Sequence, residues 1–473
     1  MDNIGSDTLY PVSVYRDLAL RGLPISQWHV PPASSAVPDL ALMLPLLAVL
    51  SDPGYAFALY ALLAGAVWTI LVLAIGRFAH GDPGVVSGTV ATLGLFWTAA
   101  AFSTDSEVPV LLWHPAYHGG AALAGLMIAV LVAAWMNKPR GSLLASATAV
   151  TLLVGASDPL LVPQGVLPAV VATWFVRQHL SGRHFWLAVG SLTTAAAVAL
   201  LVPEVLERAD LLVVGNAGWD ARPRLRLHSV VMFIKDLPNL AAQLWPFLLL
   251  GTAWCVWTRR TWRESPRTVV PDAAGLKFLL VFGVVAVVAS AATPVLGGAY
   301  LDTGLVRLML PAWVYPVAQL PLVWRRAPRA VVVGSWGVAA LLYLPAWRMI
   351  EAKDFRLPYP PAVQCIEAFV GQRGLSTGIG DYWSAKYVTE LSRTGLRVNA
   401  YTEDLQPMIW IANPAWWMGP DGQPLAHHFV VSLEERPGEN ATPPLEVTEA
   451  RVCGEFTVEV LARPVAGASP GVD

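Results

Sequence analysis

From residue 54 to residue 347 the chain is a succession of apolar segments, and basic side chains gather in every second loop between them. A helix that crosses the hydrocarbon core needs about 20 apolar residues. The segments that qualify, or nearly so, are 54–77, 86–103, 119–136, 143–157, 160–176, 185–203, 241–258, 275–293, 308–324 and 330–347. Arg77, then Lys138 and Arg140, then Arg177 and Arg183, then Arg259, Arg260, Arg263 and Arg267, then Arg325, Arg326 and Arg329 occupy alternate loops. The intervening loops 104–118 and 294–306 contain neither Lys nor Arg. Basic loops stay in the cytoplasm, so the pattern predicts an α-helical polytopic membrane protein with about ten transmembrane helices.

The stretch 143–176 has basic loops at both ends, so both ends belong on the cytoplasmic side. It must turn back, and Ser157-Asp158-Pro159 is where the residues allow a turn. Short interrupted spans of this kind often line a site. The outer face then holds 1–53, 104–118, the Asp158 tip, 204–240, 294–307 and everything after 347. Trp113, Tyr117, Trp135, Trp174, Trp257, Trp324 and Trp347 fall near the predicted interfaces and read as an anchoring belt, with His114 among them.

Only 14% of residues are charged, against about 25% in soluble domains. The charge is unevenly spread. Residues 348–473 carry 10 Lys/Arg against 16 Asp/Glu, a net of −6, and the rest carries +4. A basic membrane part with an acidic tail suits a bacterial cytoplasmic (inner) membrane protein whose C-terminal domain is periplasmic or external. The scarcity of Lys beside Arg, Ala and Val agrees with a GC-rich bacterial genome. No basic surface suggests nucleic acid.

Residues 348–473 have no span and read as a small α/β extracytoplasmic domain. Strands are predicted at Ser376–Gly380, Leu396–Tyr401, Phe429–Leu433 and Arg451–Ala462, with a helix over Asp381–Arg393 and Gly395 at its C-cap. Cys365 and Cys453 lie near opposite ends of the domain and either pair, as an oxidising compartment would favour, or remain buried thiols. Asp381-Tyr382-Trp383 and Asn413-Pro414-Ala415-Trp416-Trp417 are either core aromatics or a carbohydrate-contacting surface. His427-His428 reads as an exposed pair, and Asn440-Ala441-Thr442 as a chance match to a glycosylation site.

Residues 1–53 form an external loop with two short helices. Pro11–Arg21 places Leu9, Val12, Tyr15 and Leu18 on one side of an amphipathic helix. Pro31-Pro32 breaks the chain, and Pro38-Asp39 opens a second helix over about 39–51, too short to span. An external segment of this length without a signal is hard to translocate. The layout predicts a further helix upstream of Met1; the alternative is an N-out chain carried across by its first span.

The layout resembles the GT-C-type glycosyltransferases that use polyprenyl-phosphate sugars, such as the protein mannosyltransferases and aminoarabinose transferases. The resemblance rests on the acid-bearing first loop, Asp7-Thr8-Leu9-Tyr10 through Pro38-Asp39-Leu40. It rests also on the outer tips Trp113-His114-Pro115-Ala116-Tyr117-His118-Gly119-Gly120 and Ser157-Asp158-Pro159, and on the external domain after the last helix. A late segment, Gly304-Leu305-Val306-Arg307-Leu308-Met309-Leu310-Pro311, is similar to the family's Arg-Tyr-x-x-Pro-like element, with Leu308 where Tyr is usual.

The resemblance implies an inverting transfer from a polyprenyl-phosphate sugar donor to a lipid or envelope glycan acceptor, among membrane lipid. An acid in the first loop would take the acceptor's proton, and a cation would offset charge growing on the phosphate. Asp7 matches the base position; alternatively it only starts a helix. Asp158 is a second catalytic candidate, or a turn former before Pro159. Gln164 would line the same cavity. His118, beside Gly119-Gly120, and Arg307 are candidates for phosphate or sugar, the alternatives being an interfacial His and a snorkelling Arg. Arg16 is a further binding candidate. Asp17 reads as a solvated helix residue paired with Arg16 or Arg21, and Asp39 as a helix cap. The run Arg222-Pro223-Arg224-Leu225-Arg226 reads as a solvated loop or a contact for lipid head groups.

No spacing for zinc or calcium occurs locally, so the residues assign no cofactor; the resemblance leaves a divalent metal open, because part of the superfamily requires one. Two other classes fit parts of the pattern. A secondary transporter or lipid flippase would explain Asp158 in a broken hairpin, although no internal repeat is visible. A non-catalytic membrane assembly protein is the other.

Overall fold

The computed structural model describes residues 6–50, 52–78, 88–96, 113–214, 223–264, 273–300, 303–324, 357, 359–402, 404–419, 421–433 and 445–466. The chain is mostly helical, with a small sheet domain at its C-terminal end. Among the described residues six helices are long and apolar enough to cross a membrane: Pro53–Arg77, Gly119–Asn137, Gly182–Arg208, Leu225–Arg259, Ala274–Leu296 and Leu305–Leu322. Gly141–Ser157 and Val162–Phe175 are shorter apolar helices, and they meet at the Asp158 turn. Of the expected span 86–103, residues 88–96 are helical and the rest lies outside the described residues. The span 330–347, Arg325, Arg326, Arg329, Arg222 and the Asn440 match also lie outside them.

The helix Pro223–Glu264 corrects the expected outer loop 204–240. Its 42 residues correspond to about 63 Å at 1.5 Å each, roughly twice the hydrocarbon thickness, so it is longer than one crossing needs. Polar contacts tie its N-terminal half to Tyr300, while Leu227, Val231, Ile234 and Leu237 are exposed. The Ser229 hydroxyl accepts from the Tyr300 amide at 2.9 Å, and the Tyr300 hydroxyl donates to Asp236 at 3.1 Å.

Small residues allow the central helices to approach closely. A Cβ added at Gly165 would come within 2.9 Å of the Gly125 Cα. Trp113, Tyr117 and Trp135, expected as lipid anchors, are buried inside the bundle, because rings of this size fill the gaps between helices. Trp174 is exposed and carries the Arg177 guanidinium over its ring at 4.4 Å, as an anchor would.

The N-terminal segment is helical from Tyr10 to Arg21, the last turn wide, and again from Ala36 to Val49. It does not lie on a lipid surface. Leu9 and Val12 join the membrane core, whereas Tyr10, Val14 and Trp28 pack with Tyr382 and Ile411 of the C-terminal domain. The segment is therefore apolar on two sides because it is sandwiched. His29–Val30 (β1) pairs in parallel with Val213–Val214 (β2), and the His29 amide donates to the Ala412 carbonyl at 2.9 Å.

The C-terminal sheet contains Thr377–Gly380 (β3), Arg397–Ala400 (β4), Ala426–Leu433 (β5), Val447–Cys453 (β6) and Phe456–Ala466 (β7), in the order β4-β3-β5-β7-β6. β3 is parallel to β4 and β5, and β7 is antiparallel to β5 and β6. The helix Tyr382–Leu391 links β3 to β4, as a parallel crossover requires. Asp381 caps it by accepting from the Trp383 and Ser384 amides. Gly395 takes φ 80° in the turn before β4 rather than at the helix cap, which is Ser392. The expected strand 451–462 is a hairpin whose turn is Gly454, at φ 67°. Cys365 and Cys453 are disulfide-bonded, joining the helix Pro361–Gly371 to the end of β6. His427 is buried, not exposed; its neighbour is the Tyr401 hydroxyl at 3.1 Å, and burial lowers its pKa to about 4.

Candidate active site

Between the membrane helices and the C-terminal domain lies a cavity of about 970 Å³. Its charged lining is Asp7, His118, Asp158 and Arg307, with Glu204 and Glu207. Tyr382, Trp383, Met408 and Trp410 line it from the C-terminal domain. Leu160, Val162, Pro163 and Leu200 line it from the membrane helices.

Asp7 sits in the turn before the Tyr10 helix, and its two oxygens have different partners. Arg307 donates from Nη1 to Oδ2 at 3.1 Å, and the Tyr382 hydroxyl donates to Oδ1 at 2.9 Å. Burial, and next the Asp7 charge, push the Tyr382 phenol well above its ordinary pKa, so it remains a donor. Arg307 also lies over the Tyr117 ring, 5.6 Å from its centre. A snorkelling side chain would need none of these contacts.

Asp158 does what a turn former does and something more. Its Oδ1 accepts from the Leu160 amide at 3.1 Å, closing the turn, while Oδ2 lies 2.7 Å from His118 Nδ1. His118 itself has φ 64°, rare for a residue with a side chain, and immediately precedes the helix Gly119–Asn137. Sequence positions 7, 307 and 382 thus meet on one side of the cavity lining, and 118 and 158 form a second pair.

Gln164 and Arg16 are not among the cavity-lining residues. The Gln164 amide donates to the Leu308 carbonyl at 2.5 Å and so supports the backbone next to Arg307. Arg16 is engaged by Glu390 at 2.6 Å. Asp17, expected to be solvated, is buried; it accepts from Arg21 at 2.7 Å and from the Trp416 indole at 2.8 Å. Burial raises its pKa against the lowering effect of those two bonds. Asp39 is no helix cap. It is buried beneath the His118 turn, accepting from the Tyr60 hydroxyl at 2.5 Å and the Ala116 amide at 2.8 Å. Burial pushes it up to about 6.

Three groups of the domain interface escaped the sequence reading. Glu390 and Lys386 lie in an ordinary-looking helix, and Tyr382 was only one of several aromatics. Lys386 is buried between the rings of Tyr10 and Tyr382, 5.5 and 5.6 Å from their centres, with its ammonium donating to the Ile411 carbonyl at 3.3 Å. Burial lowers its pKa to about 8, although Asp7, Glu390 and Asp17 act in the other direction. Charge at i and i+4 on the helix Tyr382–Leu391 was the only hint available.

Among the described residues no three His, Cys, Asp or Glu converge as a metal cage. Asp7 and Asp158 are each engaged by separate partners, so as arranged they do not form one. No protein-family model, curated protein or solved structure matches this chain.

Proposed function

We propose that this chain is a GT-C-like glycosyltransferase that moves a sugar from a polyprenyl-phosphate donor to an acceptor hydroxyl at the outer membrane face, with inversion. The observation that carries this reading is one cavity whose lining contains both the Asp7–Arg307 pair and the apolar side chains of Leu160, Val162, Pro163 and Leu200. A substrate with a charged head and an isoprenoid tail matches both linings. Asp7 acts as general base. Its carboxylate retains lone pairs beyond those used by Arg307 and Tyr382. The acceptor oxygen bonds to the anomeric carbon as its proton passes to Asp7, and the bond from that carbon to the phosphate oxygen breaks. The electron pair leaves with the polyprenyl phosphate, where Arg307 offsets the added charge. A donor phosphate competing for Arg307 would also release Asp7 Oδ2 for the acceptor.

The loop charges support an inner-membrane location with the C-terminal domain outside, and the Cys365–Cys453 bond agrees with an oxidising compartment. The test is transfer from a radiolabelled polyprenyl-phosphate sugar pool in membranes containing the intact chain. Asp7→Asn should lower product about 10²–10⁴-fold while the protein still inserts. Equal product from both chains would remove Asp7 from the chemistry. No transfer by the intact chain would favour transport or assembly.

A further inference from the structure

The proposed reaction, on which this inference rests, turns a phosphodiester into a phosphate monoester and so adds negative charge to the leaving group. Arg307 answers part of that charge but, already bonded to Asp7, is no proton donor. His118 is built differently. Its Nδ1 faces a carboxylate at 2.7 Å, so Nδ1 carries a hydrogen and the ring orientation is set. Asp158 is itself fixed by the Leu160 amide. The His118 backbone has φ 64°, and two residues later the chain packs so closely on the first loop that a Cβ on Gly120 would strike the Pro38 ring at 2.5 Å. A residue strained in this way often marks a functional group. The remaining ring nitrogen, Nε2, makes no hydrogen bond among the described residues, and His118 lines the cavity.

The charged groups around the ring are accounted for. Asp158 bonds it, and Asp39 lies beneath it with Tyr60. Asp7, Arg307, Tyr382, Glu204 and Glu207 share the cavity lining.

We propose that His118, oriented by Asp158, is the proton donor to the departing polyprenyl phosphate. As the anomeric C–O bond breaks, its electron pair stays on the phosphate oxygen, and the Nε2 proton moves to that oxygen. The imidazole becomes neutral and the product leaves as a monoanion. The acceptor's proton resides on Asp7. Water then takes the proton from Asp7 and returns one to His118, which closes the cycle without an oxidant or metal. His118 touches the reacting atoms; Asp158 is a positioning residue.

The test uses citronellyl methyl phosphate, an isoprenoid phosphodiester that does not itself titrate between about pH 5.5 and about pH 8, and the purified full chain. The intact chain should bind it about tenfold more tightly at the lower pH, the worth of one charge-assisted hydrogen bond. With Asp39→Asn present to remove the titration of the acid beneath the ring, the intact His118 should keep this gain, His118→Gln should bind equally at both, and His118→Lys should bind tightly at both. Asp158→Asn should lose most of the low-pH gain. A pH dependence that survives in His118→Gln with Asp39→Asn, in which the buried Asp39 no longer titrates, would overturn the donor role and leave the transferase reading standing. No binding by the intact chain at either pH would overturn that reading, and this inference with it. Should His118→Gln fail to accumulate, Asp158→Asn and His118→Lys decide: pH behaviour like the intact chain's in both overturns the proposal.

Discussion

Arg16 Nη1 lies 2.6 Å from Glu390 Oε2, although 374 residues separate them in sequence. The same carboxylate accepts from the Ser13 hydroxyl at 2.6 Å, and its side chain is 4% exposed. The pair fastens the C-terminal domain to the first loop and so keeps Tyr382 on Asp7. Arg16→Ala leaves a buried carboxylate short of a partner, which costs about 2 kcal/mol. Faster hydrogen exchange over 382–391 should report it, and Arg16→Glu combined with Glu390→Arg should recover part of the protection. Unchanged exchange in the single variant would mean that the apolar contacts alone hold the domain.

Tyr382→Phe removes one of the two donors to Asp7 without emptying the wall of the cavity. Transfer should fall about tenfold with insertion and thermal midpoint close to those of the parent. If product formation is unaffected, the C-terminal domain contributes no group to the base.

Asp39 makes stability depend on pH in a direction opposite to an ordinary salt-bridged acid. Its pKa rises from 3.8 to about 6 on folding, chiefly through burial, so the folded chain binds the extra proton between those values. Stability is greatest below the unfolded pKa and is lost as pH climbs through about 6. The loss is up to about 3 kcal/mol. A thermal midpoint that declines from about pH 4 to about pH 6 in the parent and less so in Asp39→Asn is the expected result. Parallel curves would place the titration elsewhere.

Reducing the Cys365–Cys453 bond, which closes 88 residues of chain, should lower the stability of the C-terminal domain by about 2–5 kcal/mol. Denaturant melts followed with and without reductant read this directly. Superimposable melts would show that the bond constrains little.

Gly120→Ala puts a methyl group into Pro38 and within 2.8 Å of Asp39 Oδ1. The first loop must shift there, at a cost of about 1–3 kcal/mol. The His118 turn moves with it, so transfer should fall more than the thermal midpoint suggests. A variant with parental activity would argue that the turn is not held rigidly.

Much of the architecture could be read directly. Apolar length located helices at 53–77, 119–137, 182–208 and 274–296 within a few residues, because lipid imposes a length and tolerates little charge. Loop charge required a turn at Asp158, and one is there. The strands at 377–380, 397–400 and 426–433 were legible to within a few positions, whereas the hairpin of β6 and β7 read as a single strand. The helix over 223–240 was missed because its charged residues mimic a loop. The burial of Trp113, Tyr117 and Trp135 was missed because hydropathy does not distinguish a lipid neighbour from a protein one.

What the sequence determined by itself was the solvent: helices for hydrocarbon, an acidic α/β domain for water, and isolated acids and an Arg at the ends of apolar segments. It also singled out Asp7, His118, Asp158 and Arg307, because ionisable groups at a membrane surface are expensive and few. Only the tertiary structure decided which of them face each other. Asp7 with Arg307 and Tyr382, Asp158 with His118, and Arg16 with Glu390 are pairings across tens to hundreds of residues. No local periodicity encodes such contacts, since they depend on how the terminal domain seats on the first loop.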